Sequence, residues 1–424
     1  MSDTIFAVSS GAPPAAIAVL RISGPAAFTT GAVLAGTLPT PRRAGLRRLR
    51  AADGALLDTA LVLAFPGPAT ATGEDLLELH LHGGRAVVRA IEAALASHSG
   101  LRAAEPGEFT RRALANGRID LAQAEGLADL LAAETEAQRR AAQTATEGRI
   151  SSAAQGWVTE LVALSARTEA LIDFADEDDV PAAPEAVATL LRDITALADA
   201  IGEALAAPPV ERLRAGLRVV LAGPPNSGKS SLVNAMAERE VAIATPVPGT
   251  TRDRIEAPVL RGGVAYLLTD TAGLRDASDD PVETIGIARS RAAIAAADIV
   301  VWLGDDAAPD PAMIAITPRC DLPGRIGGRV LAVSALTGVG VTNLWDEIAR
   351  RAAEMLPRPD AVAFNARHRA ALGVAQQELA EIDRDLVMLA ERLRRARVAV
   401  AAIYGGLAVE NVLDDLFARF CIGK

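Results

Sequence analysis

The chain has 424 residues, 50% of them hydrophobic and 3% aromatic, with a formal net charge of −10, which is enough length for two or three domains with full cores. That charge excludes broad, nonspecific coating of nucleic acid, although not a local basic patch. The 2 cysteines, Cys320 and Cys421, exclude a disulfide framework and fit a reducing, cytoplasmic compartment, while the lack of an uncharged apolar stretch of about 18 to 20 residues predicts no membrane span.

Residues 1–117 mix short β-like runs, Ile17-Ala-Val-Leu-Arg-Ile22 and 56–65, with turn clusters at Gly11-Ala-Pro-Pro14 and Phe65-Pro-Gly-Pro68, and so predict a small α+β domain. From Asp120 to about Ala207 the sequence turns Ala- and Leu-rich with helical periodicity, broken at Val180-Pro-Ala-Ala-Pro184. A nucleotide-binding α/β domain is expected over 214–356, closed by a linker at Pro357-Arg-Pro359, and a helical pattern returns from Asn365 to Phe420. The resulting division is 1–117, a first helical part 118–213, the α/β domain 214–356, and a second helical part 357–424. It implies that the α/β domain is inserted into a helical one, as the close chain ends of compact domains allow.

Three phosphate-chemistry motifs define the central domain. Gly223-Pro-Pro-Asn-Ser-Gly-Lys-Ser230 follows the apolar run 217–222, read as a buried strand, and precedes 231–236, read as the start of a helix. In that setting the backbone N–H groups around Asn226, Ser227, Gly228 and Ser231 would cradle phosphate oxygens at a helix N-terminus. Lys229 would neutralise the β and γ phosphates and the Ser230 hydroxyl would hold Mg²⁺. Gly249-Thr-Thr-Arg-Asp253 and Asp270-Thr-Ala-Gly273 come next. Thr251 would reach Mg²⁺ from a loop, Asp270 would hold the same ion through water at the end of a strand, and the Gly273 N–H would sense the γ-phosphate past Thr271 and Ala272. Together the three motifs imply binding and hydrolysis of a nucleoside triphosphate.

The base site departs from the guanine-specific pattern Asn-Lys-x-Asp. Here the strand-like 313–316 runs into Thr317-Pro-Arg-Cys-Asp321. Asp321 can accept two hydrogen bonds from the guanine edge, but Pro318 cannot replace the Asn side chain and Arg319 must stand in for the Lys stem. The run 331–336 fits the remaining base loop, with Ser334, Ala335 and Leu336 near the base. Two arginine clusters, at 42, 43, 47, 48 and 50 and at 392, 394, 395 and 397, read as a solvated loop and a solvated helix face, or alternatively as basic patches. With so few aromatics, any RNA contact would run through shape and backbone rather than base stacking.

Beyond the nucleotide motifs, the chain carries Leu20-Arg-Ile-Ser-Gly24, Thr72-Gly-Glu-Asp75 with Glu78, His82-Gly-Gly84, Pro106-Gly-Glu-Phe109, Asp120-Leu-Ala-Gln-Ala-Glu125, Ile172-Asp-Phe174 and a terminal Cys421-Ile-Gly-Lys424. With these it resembles the MnmE (TrmE) family of tRNA-modification GTPases over nearly its whole length. The resemblance implies an N-terminal domain that forms a homodimer and binds 5-formyl- or methylene-tetrahydrofolate, contacted by Arg21, Glu78, Arg118 and Lys424. Arg118 stands where relatives often have Lys, which keeps the charge but not the hydrogen-bond geometry. It further implies a heterotetramer with the FAD protein MnmG (GidA) that installs a carboxymethylaminomethyl or aminomethyl group at C5 of the wobble uridine of tRNA.

For GTP hydrolysis the resemblance implies K⁺ in place of an arginine finger, held by Asn226, Thr245, Val247 and Thr250, with Pro246, Pro248 and Gly249 completing that nucleotide-binding loop. Glu283 matches the position that orients the attacking water, or else is a helix N-terminal carboxylate favoured by the dipole. Cys421 reads equally as a participant in the modification chemistry and as a small apolar residue packing a helix end. Arg252 and Arg275 match switch positions. Two other functions stand beside the leading one: a ribosome-assembly type of GTPase switch, which the N-terminal region and terminal tetrapeptide do not fit, and a nucleotide-binding scaffold with weakened guanine specificity.

Overall fold

The computed structural model describes residues 3–175, 184–238, 241–242, 256–271, 291–304, 306–323, 331–358, 361–381, 385–405, 410–418 and 420–423. They form two compact units, one of Met1–Ala128, Ala145–Val158 and Val400–Lys424, the other of Asp129–Thr144 and Thr159–Ala399. No described helix is long and apolar enough to cross a membrane.

The first unit begins with β1 (Thr4–Val8), β2 (Ile17–Ser23), α1 (Ala27–Ala35), β3 (Gly45–Arg50), β4 (Leu56–Phe65), β5 (Leu76–His82), α2 (Arg85–Ala96), β6 (Leu101–Ala103) and α3 (Glu108–Ala115). The strands make one sheet in the order β3-β4-β5-β2-β1-β6, antiparallel except for the β1–β6 pair. Period-two alternation decides its faces. Ala18, Leu20 and Ile22 of β2 join Leu77, Leu79 and Leu81 of β5 in a core covered by α1 and α2. A smaller cluster of Ile5, Ala7, Leu76 and Phe109 includes α3. Both β runs read from the sequence are strands. The first arginine cluster, expected on a loop, instead runs into β3. Residues 45–50 pair antiparallel with β4, with a register shift after buried Leu49, and make β3 the edge of the sheet.

Helices α4 (Leu121–Ala132), α5 (Glu136–Thr146), α6 (Arg149–Ala175), α7 (Pro184–Ala206) and α8 (Glu211–Ala215) follow, so the helical pattern of 120–207 is borne out. The Pro-rich break at 180–184 lies almost wholly outside the described residues. The central α/β region comprises β7 (Leu217–Ala222), α9 (Lys229–Ala237), β8 (Val241–Ala242), β9 (Glu256–Arg261), β10 (Val264–Asp270), β11 (Ile299–Leu303), β12 (Ile314–Pro318), β13 (Ala332–Val333) and α10 (Val341–Met355). Its sheet order is β13-β12-β11-β7-β10-β9-β8, parallel from β13 to β10 with β9 and β8 antiparallel at one edge. Strand β11 is a continuous apolar run and β7 is one apart from the exposed Arg218, as strands largely covered on both faces require. Trp345 of α10 packs edge-on to Tyr266 at 5.2 Å between ring centroids.

The chain ends in α11 (Ala366–Ala380), α12 (Leu386–Ala401) and α13 (Glu410–Phe417). Asn365 caps α11 by accepting from the His368 N–H, while His368 Nδ1 accepts from the Asn365 N–H. In the first unit, Leu416 and Phe417 of α13 pack on Leu121 and Ala124 of α4.

Candidate functional site

Strand β7 lies between β10 and β11, the two strands that leave it in opposite directions across the sheet. Such a switch point leaves a crevice beyond the strand's carboxyl end, and the phosphate loop occupies that position. Gly223 takes φ +150°, and a Cβ there would stand 2.2 Å from the Leu303 carbonyl oxygen, so no other residue fits without moving β11. Asn226 adopts a left-handed φ of +59°, which Asn tolerates better than most side chains. Helix α9 then starts at Lys229, two residues before the start read from the apolar pattern.

Lys229 is 6% exposed and donates from Nζ to the carbonyls of Gly223 at 3.1 Å and Pro224 at 2.9 Å. Its ammonium is therefore held over the loop on weak neutral acceptors, which phosphate oxygens would outcompete. The Ser230 hydroxyl donates to Asp270 Oδ2, and Asp270 is 2% exposed at the end of β10. Thr271 is fixed by donation to the Leu221 carbonyl at 2.9 Å. Among the described residues the buried Ser227 hydroxyl oxygen has no partner, a polar atom that a ligand in the loop would satisfy. A hydroxyl touching a buried carboxylate beside a phosphate cradle fits Mg²⁺, which binds through one or two protein oxygens plus substrate phosphates.

Next to the loop lies a cavity of about 310 Å³ lined by Ser227, Gly228, Pro318, Arg319, Asp321, Ala335 and Leu336, among others, within the size range of ligand pockets. Its rim is formed as the 331–336 run leaves the sheet. That run is strand only at Ala332–Val333, because the Ser334 N–H bonds to the Val339 carbonyl and the Ser334 hydroxyl accepts from the Thr337 N–H. Arg319 takes φ +57°, and its Nε lies 3.6 Å from where a Gly228 Cβ would be, so the side chain reaches the phosphate loop. Leu303 and Val333 also line the cavity. The sequence gives no sign of that role, because both look like ordinary core residues.

The described residues thus bring together Asn226, Ser227, Gly228, Lys229, Ser230, Ser231, Asp270, Thr271, Asp321, Ser334, Ala335 and Leu336. Thr245, Pro246, Val247, Pro248, Gly249, Thr250, Thr251, Arg252, Ala272, Gly273, Arg275, Glu283 and Lys424 lie outside the described residues.

In the first unit, Arg21 and Glu78 face each other across β2 and β5 in an ion pair of 2.9 Å, with His80 Nε2 3.4 Å from the same carboxylate. Arg118 donates to the Thr70 carbonyl at 3.2 Å. The terminal tail returns to this sheet: Ile422 bridges Pro106, and the Ser9 hydroxyl donates to the Gly423 carbonyl at 2.8 Å. Gly423 has φ +93°, and a Cβ on it would sit 2.1 Å from the Val8 carbonyl oxygen. Val8 neighbours Leu20 in register, one residue from Arg21, and Cys421 is exposed with no disulfide.

Beneath this surface Arg112 is wholly buried. It donates to Asp3 at 3.0 Å, to Glu74 at 3.1 Å and to Glu108 at 3.1 Å. Glu74 also accepts from Ser23 at 2.8 Å. Burial pushes the Glu108 carboxyl up, but hydrogen bonds from Arg102, the Glu105 N–H and Arg112 outweigh it and leave the group below its ordinary value. This network escaped sequence reading because its members come from four separate segments.

Two family descriptions match: the GTP-binding protein TrmE N-terminus over residues 4–118 and the MnmE helical domain over 121–421. A tRNA modification GTPase MnmE of Erythrobacter litoralis is 54% identical over all of both chains. Another from Rhizorhabdus wittichii is 53% identical over 100% of this chain and 97% of that one. Among solved structures, the G domain of T. maritima FeoB is 25% identical over 32% of this chain and 98% of its own, at a TM-score of 0.23, an overlap that decides nothing by itself. A full-length match at this identity, on a chain whose phosphate loop, Ser230–Asp270 contact and base cavity adjoin one another, is sufficient: the chain belongs to the MnmE family of tRNA modification GTPases.

Proposed function

We propose that this GTP hydrolase acts on tRNA, together with MnmG and a one-carbon tetrahydrofolate, to add a carboxymethylaminomethyl or aminomethyl group at C5 of the wobble uridine, and that K⁺ activates its hydrolysis. The observation that carries the nucleotide part is the Ser230–Asp270 contact beside the Gly223 cradle. Mg²⁺, held by Ser230 and Asp270 with Thr251, would neutralise charge on the β and γ phosphate oxygens. Lys229 leaves the loop carbonyls for the same oxygens. Water attacks the γ-phosphorus in line with the leaving GDP oxygen, oriented by Glu283, to give GDP and phosphate.

Asn226, Thr245, Val247 and Thr250 form the K⁺ set in this reading. An arginine finger contributes about 10³ to 10⁵ in rate, roughly 4 to 7 kcal/mol, so a cation in that role separates a fast enzyme from an idle one. On the other unit, the Arg21–Glu78 pair suits the amide-like edge and carboxylates of a folate, with Arg118 and Lys424 as further contacts and Cys421 in reach of the same sheet. Within the proposal the domains divide at 117, 213 and 356, and the chain works in the cytoplasm as a homodimer within a heterotetramer with MnmG. The test is nucleoside analysis of an unmodified tRNA incubated with the chain, MnmG, the folate, GTP and KCl. A C5-modified uridine that disappears with the Arg21→Ala variant supports the reading, and unmodified uridine in the complete mixture overturns it. Pro318 and Arg319 favour one other reading, a nucleotide-binding scaffold of weak guanine preference, in which modification would be indifferent to GTP.

A further inference from the structure

The two arginine clusters look alike in sequence and differ in the structure. On α12, Arg392 pairs with Glu378 and Glu381, and Arg394 and Arg395 both pair with Glu391, so three of its four guanidinium groups are neutralised locally. On and just before β3, none of Arg42, Arg43, Arg47, Arg48 and Arg50 has an ion pair with a carboxylate among the described residues. Arg42 donates to the Ala69 carbonyl and stands over the Phe65 ring. Arg47 donates to the carbonyls of Thr37 and Leu46, and Arg50 to that of Gly54. Carbonyls fix the direction of these groups and leave the charge in place.

The acidic side chains that follow closest in sequence are otherwise engaged. Asp53 accepts from the Ala55 N–H, and Asp58, 9% exposed, accepts from the Thr59 N–H and is paired to His82. Strand β3 is the edge of its sheet, and Arg43, Arg48 and Arg50 are exposed. An edge strand needs only a charge or two to discourage pairing with another sheet. Five uncompensated arginines within nine residues, in a chain of net charge −10, exceed that need. Arg48 and Arg50, on either side of buried Leu49, are both exposed, and the register against β4 shifts between Leu49 and Arg50. Guanidinium groups grip phosphate through two parallel N–H donors.

We infer that the β3 edge is a docking surface for the phosphodiester backbone of RNA, and that it holds the body of the tRNA rather than reading its bases. The inference rests on the tRNA reading given above. Contacts of this kind carry no sequence information and weaken steeply with salt.

The test is fluorescence anisotropy of a labelled, unmodified tRNA transcript with the full-length chain, titrated between about 50 and about 200 mM KCl. Three proteins are compared: the parent, the Arg43→Gln/Arg48→Gln/Arg50→Gln variant, and the Arg394→Gln/Arg395→Gln control. Each phosphate contact contributes about 0.7 to 0.9 to the slope of log K against log salt, so the β3 variant should lose about 2 to 3 from that slope and bind at least about tenfold more weakly at low salt. The α12 control should match the parent, and all three should share one thermal unfolding curve by circular dichroism, which reports folding of both units. An unchanged slope in the β3 variant overturns the inference. So does a variant that keeps its tRNA affinity but no longer binds phosphatidylserine vesicles, or one whose oligomer mass falls while affinity per protomer holds. A parent that binds no tRNA overturns the underlying reading as well, and is distinguished by that.

Discussion

Gly223 and Lys229 show how little sequence is needed to fix a phosphate site. The strand-loop-helix order of 217–237 is local, so the motif could be read from neighbouring residues alone. The same locality makes its failure predictable: in Gly223→Ala the new methyl would lie 2.2 Å from the Leu303 carbonyl oxygen, and β11 must shift or the loop must open. Loss of GTP binding with a lowered melting temperature is expected, measured by calorimetry and by thermal unfolding. The base site was legible only as a departure. Asp321 was found from its motif, but Leu303 and Val333 reach the cavity through sheet order and could not be. Pro318→Asn should restore the missing side chain and raise the preference for GTP over ATP about tenfold, the effect of one good hydrogen bond of roughly 1.4 kcal/mol, checked by competition binding.

At the scale of elements, the buried Arg112 ties β1, the 72–75 loop and α3 together. Removing Arg112 takes the cation from the largely buried Glu74, while Arg102 still pairs with Asp3 and Glu108, and breaking a buried pair costs about 3 to 5 kcal/mol. Arg112→Leu should therefore lower the denaturant midpoint of the first unit far more than Arg111→Leu, whose partner Asp414 is exposed. The cluster also sets an acid limit. Asp3 and Glu108 are both held below their ordinary values of 3.8 and 4.5, so the folded state binds these protons less readily than the unfolded chain. Their stabilisation is complete at pH above those ordinary values and fades as pH falls through the lower, folded ones. Acid unfolding monitored by circular dichroism should begin below about pH 4.5 in the parent, and Glu108→Gln should flatten that dependence.

The tail behaves likewise as an element fixed from afar. Ser9 and Gly423 meet although 414 positions separate them, a pairing no local pattern announces. The Cys421-Ile-Gly-Lys424 motif was conspicuous in the sequence, but its place beside β1 was not. Gly423→Ala should displace the tail from Val8 and weaken the proposed folate binding while leaving GTP turnover unchanged, as fluorescence quenching and phosphate release would report.

For the whole molecule, periodicity separated sheet-rich from helix-rich regions because each obeys its own period, two or 3.6. The arginine clusters defeated composition for a related reason. On α12, Glu391 lies three and four residues before Arg394 and Arg395, a helical spacing that neutralises them. On β3 the same residue type meets carbonyls, since alternation sends neighbouring side chains to opposite faces. A single polypeptide thereby carries a nucleotide site on one unit and an Arg21–Glu78 surface with the returning tail on the other.

In the proposed function, hydrolysis at the β7 switch point is K⁺-activated and guanine-selective. The most direct measurement is steady-state turnover of GTP and of ATP, each in KCl and in NaCl at matched ionic strength. Rapid turnover of GTP in KCl, with little in NaCl and little with ATP in either salt, is the predicted result. Equal rates for GTP and ATP, or no K⁺-dependent turnover with either, would contradict it.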